Sequence, residues 1–239
     1  MPYSIVHSEI AFLSRDFLKY LSEKDFLEFL VWNIFVDSSH LLFELWYKNI
    51  HRHTTHYYRK DFYEIDNFPE IFWEQEKEYS PLFVGYYFHL LTDKIWRDSN
   101  FIEAAYKNLD EEREYQISRK IHAFMDYKNL LWNKDSLNMV EKLYTFSFEW
   151  VKTPSIFTEV KTEDLERVLY GILDYMLGKK LFVKKTEKEE DYSSNNGEFI
   201  IKDSQLQEKV QKKYPYEEYN FLKKEALYQF QIQMSSKLS

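Results

Sequence analysis

The chain has 239 residues, 44% apolar and 30% charged, with 20 Tyr, 20 Phe and 6 Trp but only four glycines, five prolines and no cysteine. Average usage of roughly 7% would supply about sixteen glycines. The four present, Gly85, Gly171, Gly178 and Gly197, form neither a G-x-G nor a P-loop spacing, which excludes glycine-built phosphate cradles. The missing cysteines exclude disulfides, thiol nucleophiles and Cys-ligated zinc or iron–sulfur centres. With 40 acidic residues against 32 basic ones, net −8, the chain repels nucleic acid and anionic membrane surfaces, so no nucleic-acid partner is expected.

In chain order, residues 1–13 lack the basic start and small-residue cleavage site of a signal peptide. No stretch reaches the ~18 uninterrupted apolar residues of a membrane span. A cytoplasmic protein without a transmembrane segment is the expectation. Over residues 4–48 apolar side chains recur at helical spacing (Phe17, Leu18, Leu21, Phe26, Phe29, Leu30), which predicts two or more helices. Ser80-Pro81 is a helix start, a capping serine followed by proline at the first helical position. The helix it opens, residues 81–96, is apolar around most of its circumference and is expected to be central and buried.

Further helical patterns cover residues 110–132, 136–151 and 162–181, and closing helices are expected over 205–213 and 217–234. Residues 184–197 form a charge run ending in Ser-Ser-Asn-Asn-Gly and are expected to be an exposed loop. Apolar pieces at 181–183 and 199–201 flank it and can pair as one short β-hairpin within 181–202. The expected class is therefore all-α, a single multi-helix domain spanning 1–239.

All seven histidines, at 7, 40, 51, 53, 56, 89 and 122, lie within the first 122 residues, and none follows. Two of them share a spacing, His89-Leu-Leu-Thr-Asp93 and His122-Ala-Phe-Met-Asp126. On a helix, positions i and i+4 stand one above the other, so each pair can present an imidazole and a carboxylate to one cation. The ordinary alternative is a surface ion pair or a satisfied core histidine. For His89 the hydrophobic surroundings argue against that alternative, because a buried carboxylate without a cation or donor is costly. The His122 pair lies on a more polar segment, where both readings stand. His51 and His53 read as part of a solvated connection.

Four places resemble the zinc-dependent phospholipase C family, which shares a helical fold with the P1-type nucleases. They are Pro2-Tyr3-Ser4-Ile5-Val6-His7, Asn33-Ile34-Phe35-Val36-Asp37, Thr55-His56-Tyr57, and Gly85-Tyr86-Tyr87-Phe88-His89-Leu90-Leu91-Thr92-Asp93-Lys94-Ile95-Trp96. Their order and spacing are similar to the family's over residues 1–130, the metal-site half. Residues 131–239 resemble it only in being helical.

The resemblance implies that Asp37, His56, His89 and Asp93 ligate one metal, with Asp93 bridging to a second held also by His7. His122 and Asp126 would match the family's later His-x-x-x-Glu pair, which holds a further metal, with Asp in place of Glu here. The chain departs from the family in starting Met1-Pro2, where secreted members use a processed N-terminal residue as a ligand. It also has Ser99 where the family has a histidine, with Asp98 the nearest substitute.

The cofactor so implied is Zn²⁺, two ions or in the fuller set three, other divalent metals remaining open. The activity implied is hydrolysis of a phosphate ester, whether a soluble phosphodiester or a phospholipid head group, through a metal-activated water. Asp37 is then both ligand and catalytic base; Lys94 or Arg97, just after the motif, could contact the substrate phosphate, a solvated face being the ordinary alternative. Asp16, His40 and the tyrosines are candidates to orient the ligating histidines. A different class of function is a non-catalytic helical protein that keeps the fold for metal or protein binding.

Overall fold

A computed structural model describes residues 4–50, 55–56, 80–99, 114, 117–118, 121–122, 125–126, 128–129, 133–149, 151, 153–176, 192–195, 198–201 and 204–238. Among these the chain is helical apart from one two-stranded ribbon, as the sequence pattern predicts. Three helices fill the N-terminal region: α1 (Ser4–Leu13), α2 (Glu23–Phe35) and α3 (Ser39–Glu44). Helix α4 (Pro81–Arg97) follows, then α5 (Lys134–Leu143), α6 (Thr162–Met176), the strands β1 (Tyr192–Asn195) and β2 (Glu198–Ile201), and helices α7 (Ser204–Lys213) and α8 (Tyr216–Leu238). No helix among the described residues is long and apolar enough to cross a membrane.

Local chemistry sets the helix starts. Ser22 caps α2 by accepting from the Asp25 N–H at 3.1 Å, and Ser80 caps α4 by accepting from Phe83, with Pro81 following at the first position. Asn133 caps α5 through bonds from the amides of Asp135 and Ser136. The expected helix over 136–151 is in fact Lys134–Leu143, because the chain turns after Leu143 so that Phe148 can pack edge-on against Phe35 and Trp32, with Phe146 edge-on against Phe148. Helix α6 begins where expected, and residues 177–181 lie outside the described residues.

The ribbon departs from expectation in its first strand. Tyr192–Asn195 pairs antiparallel with Glu198–Ile201, Asn195 opposite Glu198. Residues 192–195 are therefore strand rather than the end of an exposed charged loop, while 181–191 lie outside the described residues. The physical reason was available in the sequence: the two residues between the paired ends are Asn196-Gly197, the dipeptide most favoured by a two-residue hairpin turn.

Helix α4 is the axis of the core, with every residue from Leu82 to Asp93 buried. It packs most closely on α2, and Gly85 makes that approach feasible. A Cβ on Gly85 would lie 2.1 Å from the Phe29 carbonyl oxygen, so only glycine lets the two backbones meet. Helix α8 closes the other side, where Phe230 stacks on Phe88 with ring centroids 4.1 Å apart and also meets Phe29 and Phe17. One contiguous core joins residues from both halves, from Val6 and Phe29 to Leu169, Phe230 and Met234.

Candidate metal centre

Five side chains from four segments converge beside α4. His7 comes from α1, Asp37 from the 3-10 turn Val36–Ser38 that ends α2, His56 from the short described piece 55–56, and His89 and Asp93 from successive turns of α4. His7, His56, His89 and Asp93 are sealed from solvent, and Asp37 retains 15% side-chain exposure. The centre therefore meets water on the Asp37 side.

His7 Nε2 lies 3.2 Å from Asp93 Oδ1, and His56 Nε2 lies 3.3 Å from Asp93 Oδ2 and 3.4 Å from Asp37 Oδ1. His89 Nε2 lies 3.8 Å from Asp37 Oδ1 and 3.9 Å from Asp93 Oδ2. The Nε2 atoms of His7 and His89 and both Asp93 oxygens make no hydrogen bond of normal geometry although all are buried. These separations exceed the 2.7 to 2.9 Å or so of a charge-assisted hydrogen bond. They approach instead the edge of a tetrahedron with metal–ligand bonds of about 2.1 Å, which is about 3.4 Å. Two groups, His7 with His89 and Asp93, and Asp37 with His56 and His89, bring their donor atoms within 4.8 Å of one another and can hold a metal ion.

The orientation of the rings fits this use. His89 Nδ1 lies 2.7 Å from the Asn33 carbonyl oxygen, which can only accept, so Nδ1 carries the proton and Nε2 presents a lone pair to the centre. Asn33 lies in the last turn of α2, where carbonyls are released from the helical ladder as the chain passes into the 3-10 turn. The same helix end carries the negative pole of its dipole and favours a cation nearby. His56 Nδ1 meets Thr55 Oγ1 at 3.0 Å, and the Tyr86 hydroxyl donates to the Thr55 carbonyl, tying this short segment to α4. The His7 ring stacks on that of His89 at 3.6 Å and 12°, and His56 approaches His89 edge-on.

The electrostatics favour ligand-competent states for His89, Asp93 and Asp37, and the charged form for His56, which would release its proton to bind a metal. Burial, followed by the neighbouring His7, lowers the His89 pKa to about 3, so its ring is neutral at physiological pH. Burial pushes the Asp93 carboxyl up, but the surrounding His56, His7 and His89 imidazoles outweigh it and hold the group well below its usual range. Asp37 is likewise held low against burial by His89, His56 and His7. Burial works against a charged His56, and Asp37 and Asp93 on either side overcome it and raise its pKa. Neutral imidazole and ionised carboxylate are the protonation states from which a metal is bound.

The remaining residues singled out from the sequence lie elsewhere. His122 and Asp126 join neither metal-capable group. Asp126 accepts from the Tyr216 hydroxyl at 2.9 Å, the Tyr219 hydroxyl at 2.6 Å and Lys223 Nζ at 2.6 Å, so its charge is met by a lysine of α8. Lys223 also donates to Glu9 Oε2 at 2.8 Å, and His122 packs against the Tyr219 ring at 4.3 Å, with burial lowering its pKa to about 4. Lys94 and Arg97 both pair with Asp98 on the surface, and Asp16 is exposed. His51 and His53 lie outside the described residues, as does the side chain of His40. The orienting partner of His89 is thus a backbone carbonyl, which residue type does not announce. No family model, curated protein or solved structure matches this chain.

Proposed function

We propose that the protein is a metal-dependent hydrolase of phosphate esters, with zinc as its metal. The observation that carries this reading is the convergence of His7, Asp37, His56, His89 and Asp93, five buried or nearly buried donors whose spacing suits metal coordination better than hydrogen bonding. It is supported by the resemblance to the zinc-dependent phospholipase C family, which implies the same five residues. Asp93 turns Oδ1 towards His7 and Oδ2 towards His56 and His89, so its two oxygens could serve both metal-capable groups. Divalent cations there would supply Lewis acidity towards a phosphoryl oxygen and towards water.

The chain's own residues do the rest. The three imidazoles and Asp93 exclude solvent from the inner side, leaving the Asp37 edge for water and substrate. A carboxylate held as low as Asp37 stays ionised, so it can accept a hydrogen bond but is a weak base and a weak store for protons. Its role at that edge would be to orient a water by accepting its hydrogen bond, in addition to helping to hold a metal.

A second reading rests on the completeness of one ligand set. The four residues that the resemblance assigns to one metal, Asp37, His56, His89 and Asp93, would match the number that closes a structural zinc site. In that case the ion stabilises the fold and the function is binding. Counting metal in untagged, chelator-free protein, together with hydrolysis of bis-p-nitrophenyl phosphate and p-nitrophenyl phosphate with and without EDTA, separates the two. Turnover abolished by EDTA, and lost with bound metal in His89→Ala and Asp93→Asn, is the expected result. Metal without turnover after Zn²⁺, Mn²⁺ or Fe²⁺ loading selects the structural reading, and less than one metal per chain refutes both.

A further inference from the structure

The crossing of α2 and α4 places two residue pairs, each one helical turn apart, directly against each other. Phe29 and Asn33 lie on α2, and Gly85 and His89 lie on α4. At one level the Gly85 backbone rests on Phe29, where an added Cβ would stand 2.1 Å from the carbonyl oxygen. At the other, His89 Nδ1–H donates to the Asn33 carbonyl at 2.7 Å. Between them Asn33 Nδ2 donates to the Gly85 carbonyl at 3.3 Å, a bond wholly buried between the helices. Ridge-into-groove packing alone needs none of these polar contacts. They share one consequence, which is to fix the distance between the Asn33 carbonyl and the His89 ring.

We propose that Gly85 and Asn33 are positioning residues that set the tautomer of His89, holding its proton on Nδ1 so that Nε2 is the donor facing Asp37 and Asp93. The inference rests on the metal-site reading for its purpose, but the tautomer belongs to the protein itself. In water the neutral imidazole prefers the proton on Nε2, the arrangement in which the centre would meet an N–H instead of a lone pair. The Asn33 carbonyl reverses that preference only while it stays within hydrogen-bonding distance. A Cβ at position 85 would force α4 to withdraw from Phe29 by about 1 Å. The His89–Asn33 contact would then lengthen from 2.7 Å to about 3.7 Å, beyond the reach of a hydrogen bond.

The test uses the full chain, metal-free, near pH 8, with ¹⁵N-labelled histidine. Long-range ¹⁵N–¹H correlations assign the His89 tautomer, and Zn²⁺ affinity is measured separately by chelator competition. Wild type is expected to show the Nδ1–H form. Gly85→Ala should shift His89 towards Nε2–H and weaken Zn²⁺ roughly ten- to a hundredfold, the usual loss when the orienting partner of a ligand is disturbed. Should Gly85→Ala fold poorly, Asn33→Ala removes the Nδ2 tie without adding volume and should shift the tautomer in the same direction by a smaller amount. Gly171→Ala is the control: nothing lies within 4 Å of its added Cβ, so tautomer and affinity should both stay as in wild type. An Nε2–H His89 in wild type overturns the proposal, as does an Nδ1–H His89 retained in both Gly85→Ala and Asn33→Ala. If wild type binds no Zn²⁺ yet shows the Nδ1–H form and the variants lose it, the positioning role stands and the metal reading falls.

Discussion

Replacing Lys223 with methionine removes one ammonium and nearly preserves side-chain volume, so it isolates the charge that α8 places between α1 and the helical residues around Asp126. Lys223 Nζ lies 2.8 Å from Glu9 Oε2, 2.6 Å from Asp126 Oδ1 and 3.5 Å from the Tyr216 hydroxyl, and is itself buried. Removing one partner of a buried ion pair commonly costs about 3 to 5 kcal/mol, because the other charge is left behind. Two features hold the cost to the lower end. Asp126 keeps the hydroxyls of Tyr216 and Tyr219 at 2.9 and 2.6 Å. Glu9, with a pKa raised to about 7 by burial and by the Asp126 charge beside it, can take up a proton.

A loss of about 3 kcal/mol is therefore expected. For a chain of this size that is a fall of roughly 6 to 12 °C in melting temperature, read by thermal and urea unfolding near pH 8. Metal content should not change, since Lys223 touches none of the five converging residues. A loss below about 1 kcal/mol would refute the ion-network account. A rise in bound metal would show that the His122–Asp126 pair holds an ion once the lysine is gone.

Other consequences follow from single residues. The folded pKa of Glu9, about 7 against 4.5, means that the folded chain keeps a proton that the unfolded chain releases. Stability should therefore fall as pH rises from about 4.5 to 7, by up to about 3 kcal/mol, with the loss complete above that range. Glu9→Gln should match wild type near pH 5 and melt higher near pH 8; parallel melting curves across that window would refute the assignment. Trp46 is 81% exposed with φ at 77°, a left-handed conformation unfavourable to a large side chain. Trp46→Gly relieves strain of about 1 to 2 kcal/mol while adding unfolded-state entropy of about 0.4 to 1 kcal/mol. It should therefore be neutral or slightly stabilising in urea unfolding, whereas a destabilisation above about 1 kcal/mol would show that the ring packs on the surface.

What the sequence determined by itself is what local physics decides. The Ser80-Pro81 start, the all-round apolar helix and the i, i+4 placement of His89 and Asp93 follow from capping and a period of 3.6, and the structure places them as that chemistry requires. Asn196-Gly197 carried an equally local hairpin signal, and it explains why the second strand at 199–201 found its partner at 192–195. The convergence of His7, Asp37 and His56 on α4 is of another kind. No periodicity links residues 33 to 86 positions apart, and before folding only the resemblance grouped them.

Tertiary structure also separated two pairs that look alike in sequence. His89 and Asp93 lie between α1, the end of α2 and residues 55–56, where further imidazoles and a second carboxylate meet them. His122 and Asp126 lie against α8, and a lysine 97 residues further along the chain neutralises the carboxylate. The orienting carbonyl of Asn33 is available only because α2 ends there and Gly85 admits a close crossing. A backbone acceptor has no letter in the sequence. Its use is decided by which helix ends beside which ring, and that is a property of packing.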